Sequence, residues 1–180
     1  MIVADFRIRI KLMKKIIFLD IDGVLNTERW YTQMNKNTPK DRFGYAFDPV
    51  AVDNLSKIIA ESNADIVVSS SWKCFGIDGM QEMWKERNLP GKIIDITPNT
   101  ISDDMLLNMN LDELDEVAIR GHEIEEWLSL HGKNVSHYVI LDDVDSFLNI
   151  QKTHLVLTNP IVGITEEDVT KAISILNGIQ

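Results

Sequence analysis

The sequence predicts an α/β domain: a mainly parallel sheet with helices on both faces. Short apolar runs of strand length recur along the chain, at residues 16–19, 64–69, 93–94, 138–141 and 155–157. Several are apolar without alternation, the pattern of strands covered on both faces. Between them lie segments with apolar residues at helical spacing, the alternation that builds a parallel sheet. Polar residues also gather at the carboxyl ends of the runs, where such sheets bind ligands.

The first run, 16–19, ends in Asp20-Ile-Asp-Gly, with glycine supplying a turn. Residues 26–47 are polar and aromatic without a clear period, and read as a long loop or small flap. Asp48-Pro49 opens a helix, Asp as N-cap and Pro at the first helical position, with Val52, Leu55 and Ile59 expected inward. A second helix is expected over 79–87, burying Met80, Met83 and Trp84. Residues 99–117 are acidic and read as an insertion. The helix over 121–130 turns Ile124, Trp127 and Leu128 inward and is closed by Gly132. Thr165-Glu-Glu-Asp is a capping box opening the last helix, with Val169, Ala172, Ile173 and Leu176 inward. Residues 1–12 read as an N-terminal extension, Met13 as a natural start, and 13–180 as a single domain.

The chain has 180 residues, enough for one domain with a real core. Its apolar share of 44% and charged share of 26% are those of an ordinary globular protein. No apolar run approaches bilayer-spanning length, and the basic start lacks the apolar stretch of a secretory leader. One cysteine, Cys74, excludes an internal disulfide and fits a reducing, cytoplasmic setting. The formal charge of −10 argues against strong nonspecific binding to nucleic acid. It leaves a phosphate ester open as substrate, because a bound cation reverses the local field.

The chemistry resides in the strand ends. Asp20 and Asp22 close the first run, and Asp142 and Asp143 close the run at 138–141. Four converging acids repel and raise one another's proton affinity. A hard cation with oxygen ligands removes that conflict, and Mg2+ suits a site of few carboxylates plus phosphate and water. A carboxylate beside such an ion can attack phosphorus in line.

The block Phe-Leu-Asp-Ile-Asp-Gly-Val-Leu-Asn resembles the first motif of the haloacid dehalogenase (HAD) superfamily. The resemblance implies a Rossmann-like three-layer fold and a nucleophile at Asp20. Asp22 then serves as general acid/base, its backbone carbonyl joining the metal ligands. The second motif, a serine or threonine that binds the phosphoryl group, falls in Val-Val-Ser-Ser-Ser-Trp-Lys; Ser70 is favoured, with Ser69 and Ser71 as alternatives. The charge-balancing third motif matches Arg120 by position, ahead of Lys73 and Lys133. The fourth is Leu-Asp-Asp, making Asp142 and Asp143 metal ligands with Asp20 and Asp22. Val-Ser-Ser-Ser-Trp and Arg-Gly-His-Glu-Ile-Glu-Glu-Trp-Leu further resemble the small, nearly capless HAD domains of RNA-repair proteins. The acidic insertion at 99–117 departs from the shorter connection of that branch.

The expected activity is Mg2+-dependent phosphomonoester hydrolysis through an aspartyl-phosphate. The 26–47 segment is too short for a large cap domain. An open site suits a nucleotide or nucleic-acid-end phosphate and also admits other phosphorylated small molecules. The alternative is a catalytically silent phosphate-binding or receiver-like regulatory module. A receiver domain wants its acceptor aspartate after the third strand and a lysine ending the fifth, whereas here the last run ends Leu-Thr-Asn-Pro. Retention of both Asp20 and Asp22 argues against a silent scaffold. Trp72, Trp84 and Trp127 read as packing residues, although Trp30 and Trp72 lie in segments that border the expected crevice.

Overall fold

The computed structural model describes residues 13–100 and 118–179. The expected extension at 1–12 and nearly all of the insertion at 99–117 lie outside them. Five parallel strands form one sheet: β1 (Lys14–Leu19), β4 (Asp65–Val68), β5 (Ile93–Ile96), β6 (Val135–Asp142) and β7 (Leu155–Leu157), ordered β5-β4-β1-β6-β7. The helices among the described residues are α1 (Glu28–Gln33), α2 (Pro49–Ser62), α3 (Gly76–Glu86), α4 (Ile119–His131) and α5 (Glu166–Leu176). A two-stranded hairpin, β2 (Lys40–Asp41) with β3 (Gly44–Tyr45), completes the fold.

β1 is central because its apolar run can be covered on both faces. Ile16 to Leu19 are fully buried, and successive side chains point to opposite faces. Ile17 and Leu19 join a core with α2, α3 and α5; Ile16 and Phe18 join a second core with Ile124 and Trp127 of α4. Phe18 meets Trp127 and Tyr138 edge-on, at ring-centroid distances of 5.4 and 5.7 Å. No described helix is long and apolar enough to cross a membrane.

The chain runs from β1 outward through β4 to β5, then returns to place β6 on the other side of β1. Strand order therefore reverses at the β1–β6 pair, the kind of point at which open α/β sheets form a crevice. Leu19 pairs with Leu141 in register, so Asp20 and Asp142 follow at the same level.

Several expectations need correction. The most buried face of α2 is Ala51, Asn54, Leu55, Ile58 and Ser62; Leu55 is at its centre as expected, and Val52 and Ile59 pack against the core from its margins, half-buried. Apolar periodicity passes over Asn54 and Ser62, but both satisfy their polar groups internally. Asn54 donates to the Ile164 carbonyl at 2.7 Å, and Ser62 to the Ile58 carbonyl at 2.6 Å. The second helix starts at Gly76 behind a 3-10 turn, Ser71–Phe75. Gly132 closes α4 as expected, but with φ of −59° rather than in a left-handed turn, and the chain continues into a 3-10 turn, Gly132–Asn134.

The 26–47 segment is a small ordered flap. Its helix α1 is capped by Thr27, whose hydroxyl donates to Asp48 at 2.6 Å. The hairpin is docked by Arg87, which donates to both Asp41 oxygens at 2.8 and 2.9 Å and stacks over Phe47. The capping box of α5 forms as expected between Thr165 and Asp168.

Phe18→Ala empties a site walled by three strands and α4. It should cost about 3–5 kcal/mol, read as a fall in the urea midpoint without change of slope.

Candidate active site

Period-two geometry explains why the polar residues meet. Asp20, Ser69 and Asp142 lie two positions beyond Phe18, Val67 and Ile140, which all face the α4 core. They thus continue onto the side covered by α4, whose first turn carries Arg120. Asp20 is 2% exposed, and its backbone N–H donates to the Leu141 carbonyl at 3.0 Å. Arg120 Nη1 lies 2.6 Å from Asp20 Oδ2 and 2.5 Å from Asp142 Oδ2, bridging the two carboxylates. Lys73 instead pairs with Glu123 at 2.6 Å, and Lys133 sits beyond the opposite end of β6.

Burial opposes the charge on Arg120, but Asp142 and then Asp20 outweigh it and hold the guanidinium above its ordinary value. Burial pushes the Asp142 carboxyl up to about 7; Arg120 opposes the rise and Asp20 adds to it. Asp143 is raised too, by burial and then by Asp20. One guanidinium therefore leaves this acidic group short of positive charge. Oxygens of Asp20, Asp142 and Asp143 lie within 4.8 Å of one another. Asp20 Oδ1 is buried without a hydrogen-bond partner, an arrangement that calls for a ligand. An all-oxygen donor set fits a hard divalent cation.

Asp143 is seated by Gly23, whose φ of 71° permits the turn after β1. A Cβ there would fall 2.3 Å from the Asp143 carboxyl carbon. The Asp22 carboxylate stands apart from the three acids and is exposed. Asn26 donates to its Oδ1 at 2.9 Å and the Trp72 indole N–H to its Oδ2 at 2.9 Å. Its charge reaches Tyr31 on α1, whose hydroxyl is pushed up by burial first and by Asp22 second.

Of the three serines, Ser70 accepts the Trp72 backbone N–H at 3.4 Å and caps the 3-10 turn. Ser71 is exposed. Ser69 is 1% exposed, and its hydroxyl has no partner. The geometry shifts the preference from Ser70 to Ser69.

The contacts of Asn26 and Trp72 with Asp22 go beyond the expected roles, which gave Asn26 none and Trp72 packing at the border of the crevice. Both stand inside quoted motif blocks, Val-Leu-Asn and Ser-Ser-Ser-Trp, so the signal was the block's last letter.

Comparison with known proteins agrees with this geometry. Residues 16–169 match the family described as the HAD domain in Swiss Army Knife RNA repair proteins. The chain belongs to this HAD family. The match runs from within β1 to the first turn of α5 and includes every residue of the site. A search of curated proteins finds no match. HAD domains are hydrolases of the phosphatase type, and the acidic group of this HAD domain is compatible with that chemistry.

Three outcomes follow for this HAD domain. With its folded value raised above the ordinary 3.8, Asp142 binds more protons in the folded than in the unfolded chain between about 4 and 7. Its contribution to the stability of the cation-free protein should fall as pH rises across that window. A divalent cation at pH 8 should restore stability: at a hundred times its dissociation constant it adds about 2.7 kcal/mol. For a chain of this size that is roughly 5–10 °C in Tm. Gly23→Ala, by displacing Asp143, should shrink this thermal shift while leaving the protein folded by circular dichroism.

Proposed function

We propose that the protein is a Mg2+-dependent phosphomonoesterase that works through an aspartyl-phosphate on Asp20. The observation that carries this reading is the state of the Asp20 carboxylate. It is buried at the carboxyl end of the central strand, with one oxygen against Arg120 and the other without a partner. A carboxylate so placed is held in orientation by one oxygen and free to react at the other.

Asp20, Asp142 and Asp143 would hold the ion, with the backbone carbonyl of Asp22 as a further donor. Bound magnesium supplies neutralisation of the charge on the phosphoryl oxygens. In the first step an Asp20 oxygen attacks phosphorus as the bond to the leaving oxygen breaks. The departing electron pair takes a proton from the Asp22 carboxyl. In the second step Asp22, now a carboxylate, takes a proton from water as the water oxygen attacks phosphorus. The bond to Asp20 breaks, releasing inorganic phosphate and restoring both acids. Arg120 holds Asp20 in orientation through the 2.6 Å ion pair, and Ser69 offers a hydroxyl to the phosphoryl group.

For the substrate we favour a nucleotide or a nucleic-acid end phosphate. The family description concerns RNA repair proteins, and the segment between Asn26 and Phe47 is a short helix and hairpin rather than a large cap. Recognition at an end, rather than along a strand, suits the charge of −10. It also suits Arg42 of the hairpin, which is engaged by Glu82 and Glu86.

The test is phosphate release from p-nitrophenyl phosphate, with and without Mg2+, followed by nucleotides and 5′- or 3′-phosphorylated oligonucleotides. Turnover should require the ion and vanish in folded Asp20→Asn. Asp22→Asn should lower kcat by about 10²–10⁴-fold. Turnover that survives in Asp20→Asn contradicts the nucleophile, and none in clean wild type on any of these esters favours a silent phosphate-binding module.

A further inference from the structure

We propose that Trp72 is a positioning residue for Asp22, holding the general acid/base at the angle from which it serves the leaving group. The inference rests on the phosphatase reading above and adds a residue to it. Asp22 is an exposed carboxylate on a tight turn, and an exposed Asp side chain ordinarily samples several rotamers. Here both oxygens are claimed by donors from different parts of the fold, Asn26 Nδ2 on Oδ1 and Trp72 Nε1 on Oδ2, each at 2.9 Å.

Both donors are themselves fixed. Asn26 is 5% exposed, and its backbone N–H and carbonyl bond to the Ile21 carbonyl and the Gly23 N–H at 2.9 and 2.8 Å. The Trp72 ring packs edge-on against Phe47 at 5.6 Å and tilts against Phe75 at 5.8 Å. Its indole N–H is a donor only, and this donor is spent on Asp22. A ring retained for packing alone would be served by phenylalanine.

The two donors also leave Asp22 able to work. A carboxylate has about four lone-pair positions, and two N–H donors occupy two. One position on each oxygen remains to carry the proton that goes to the leaving group and is later recovered from water. Trp72 lies in the 3-10 turn that Ser70 caps, three residues after Ser69. The strand end that offers the phosphate-binding hydroxyl therefore also sets the acid/base, coupling the two by covalent geometry.

The test compares p-nitrophenyl phosphate, whose phenolate departs with little help from an acid, with phenyl phosphate, whose poorer leaving group needs the proton. Trp72→Phe keeps the ring and removes the N–H. For phenyl phosphate its kcat should fall by roughly 10–100-fold, the scale of a misplaced catalytic group, with KM nearly unchanged and a much smaller loss on p-nitrophenyl phosphate. The same change in an Asp22→Asn background should cost little more, because its effect passes through Asp22. Replacing the Trp72 indole by 3-benzothienylalanine, which puts sulfur in place of N–H at constant shape, should reproduce the loss with Tm unchanged.

Equal losses on both esters that recur in full in the Asp22→Asn background, or a rise in KM alone, would give Trp72 a packing or substrate-stacking role and overturn the proposal. So would full activity in the benzothienyl variant. In each of these cases Asp20→Asn remains inactive and the phosphatase reading stands. Turnover surviving in Asp20→Asn, or none in wild type, removes that reading and the proposal with it.

Discussion

The site depends on a conflict between like charges that the sheet forces together. Asp20 and Asp142 end neighbouring strands at the same level, and Asp143 follows directly, so their carboxylates cannot separate without breaking the β1–β6 register. Arg120 relieves part of the repulsion by lying against two of them. The rest appears as raised proton affinity at Asp142 and Asp143, and as a buried Asp20 oxygen without a partner. A buried acid of this kind is stabilised by a proton, a cation or a phosphoryl group in its midst. The tension that makes the cluster costly as structure is what suits it to bind and react.

The rest of the fold keeps that cluster in place. β1 is buried on both faces, so its register is held by two cores at once, and a slip of one residue would exchange them. The same period-two alternation that places Phe18 against Trp127 aims Asp20 at the side where α4 delivers Arg120. α4 thus contributes Trp127 to the core and Arg120 to the site, nearly two helical turns apart on one helix.

Asp22 is governed differently. Asp20 is immobilised by burial, whereas Asp22 stands in solvent and is placed by hydrogen bonds from Asn26 and Trp72. The division suits the two roles. A nucleophile gains from a dry, preorganised environment, and an acid/base that exchanges protons with water must reach it. The small flap of α1 and the β2–β3 hairpin contributes Tyr31 beside Asp22, and among the described residues no large domain covers the site.

Much of this was legible in the sequence because it is local. Uninterrupted apolar runs marked buried strands, Asp48-Pro49 and Thr165 to Asp168 marked helix starts, and acids at run ends marked the crevice. Each signal is written within a few residues of where it acts. Several of the departures involve partners distant in sequence. The inward face of α2 turned on Asn54 finding the carbonyl of Ile164, 110 residues away, and the flap took its order from Arg87 reaching Asp41. The choice among three adjacent serines rested on which hydroxyl the following turn consumes, and the role of Trp72 on a contact with Asp22. The sequence by itself determined the strand-end acids and the core that aligns them, because alternation along a strand is a local property. Only the tertiary structure decided which polar atoms remain unsatisfied, because that depends on what the folded chain brings within hydrogen-bond reach.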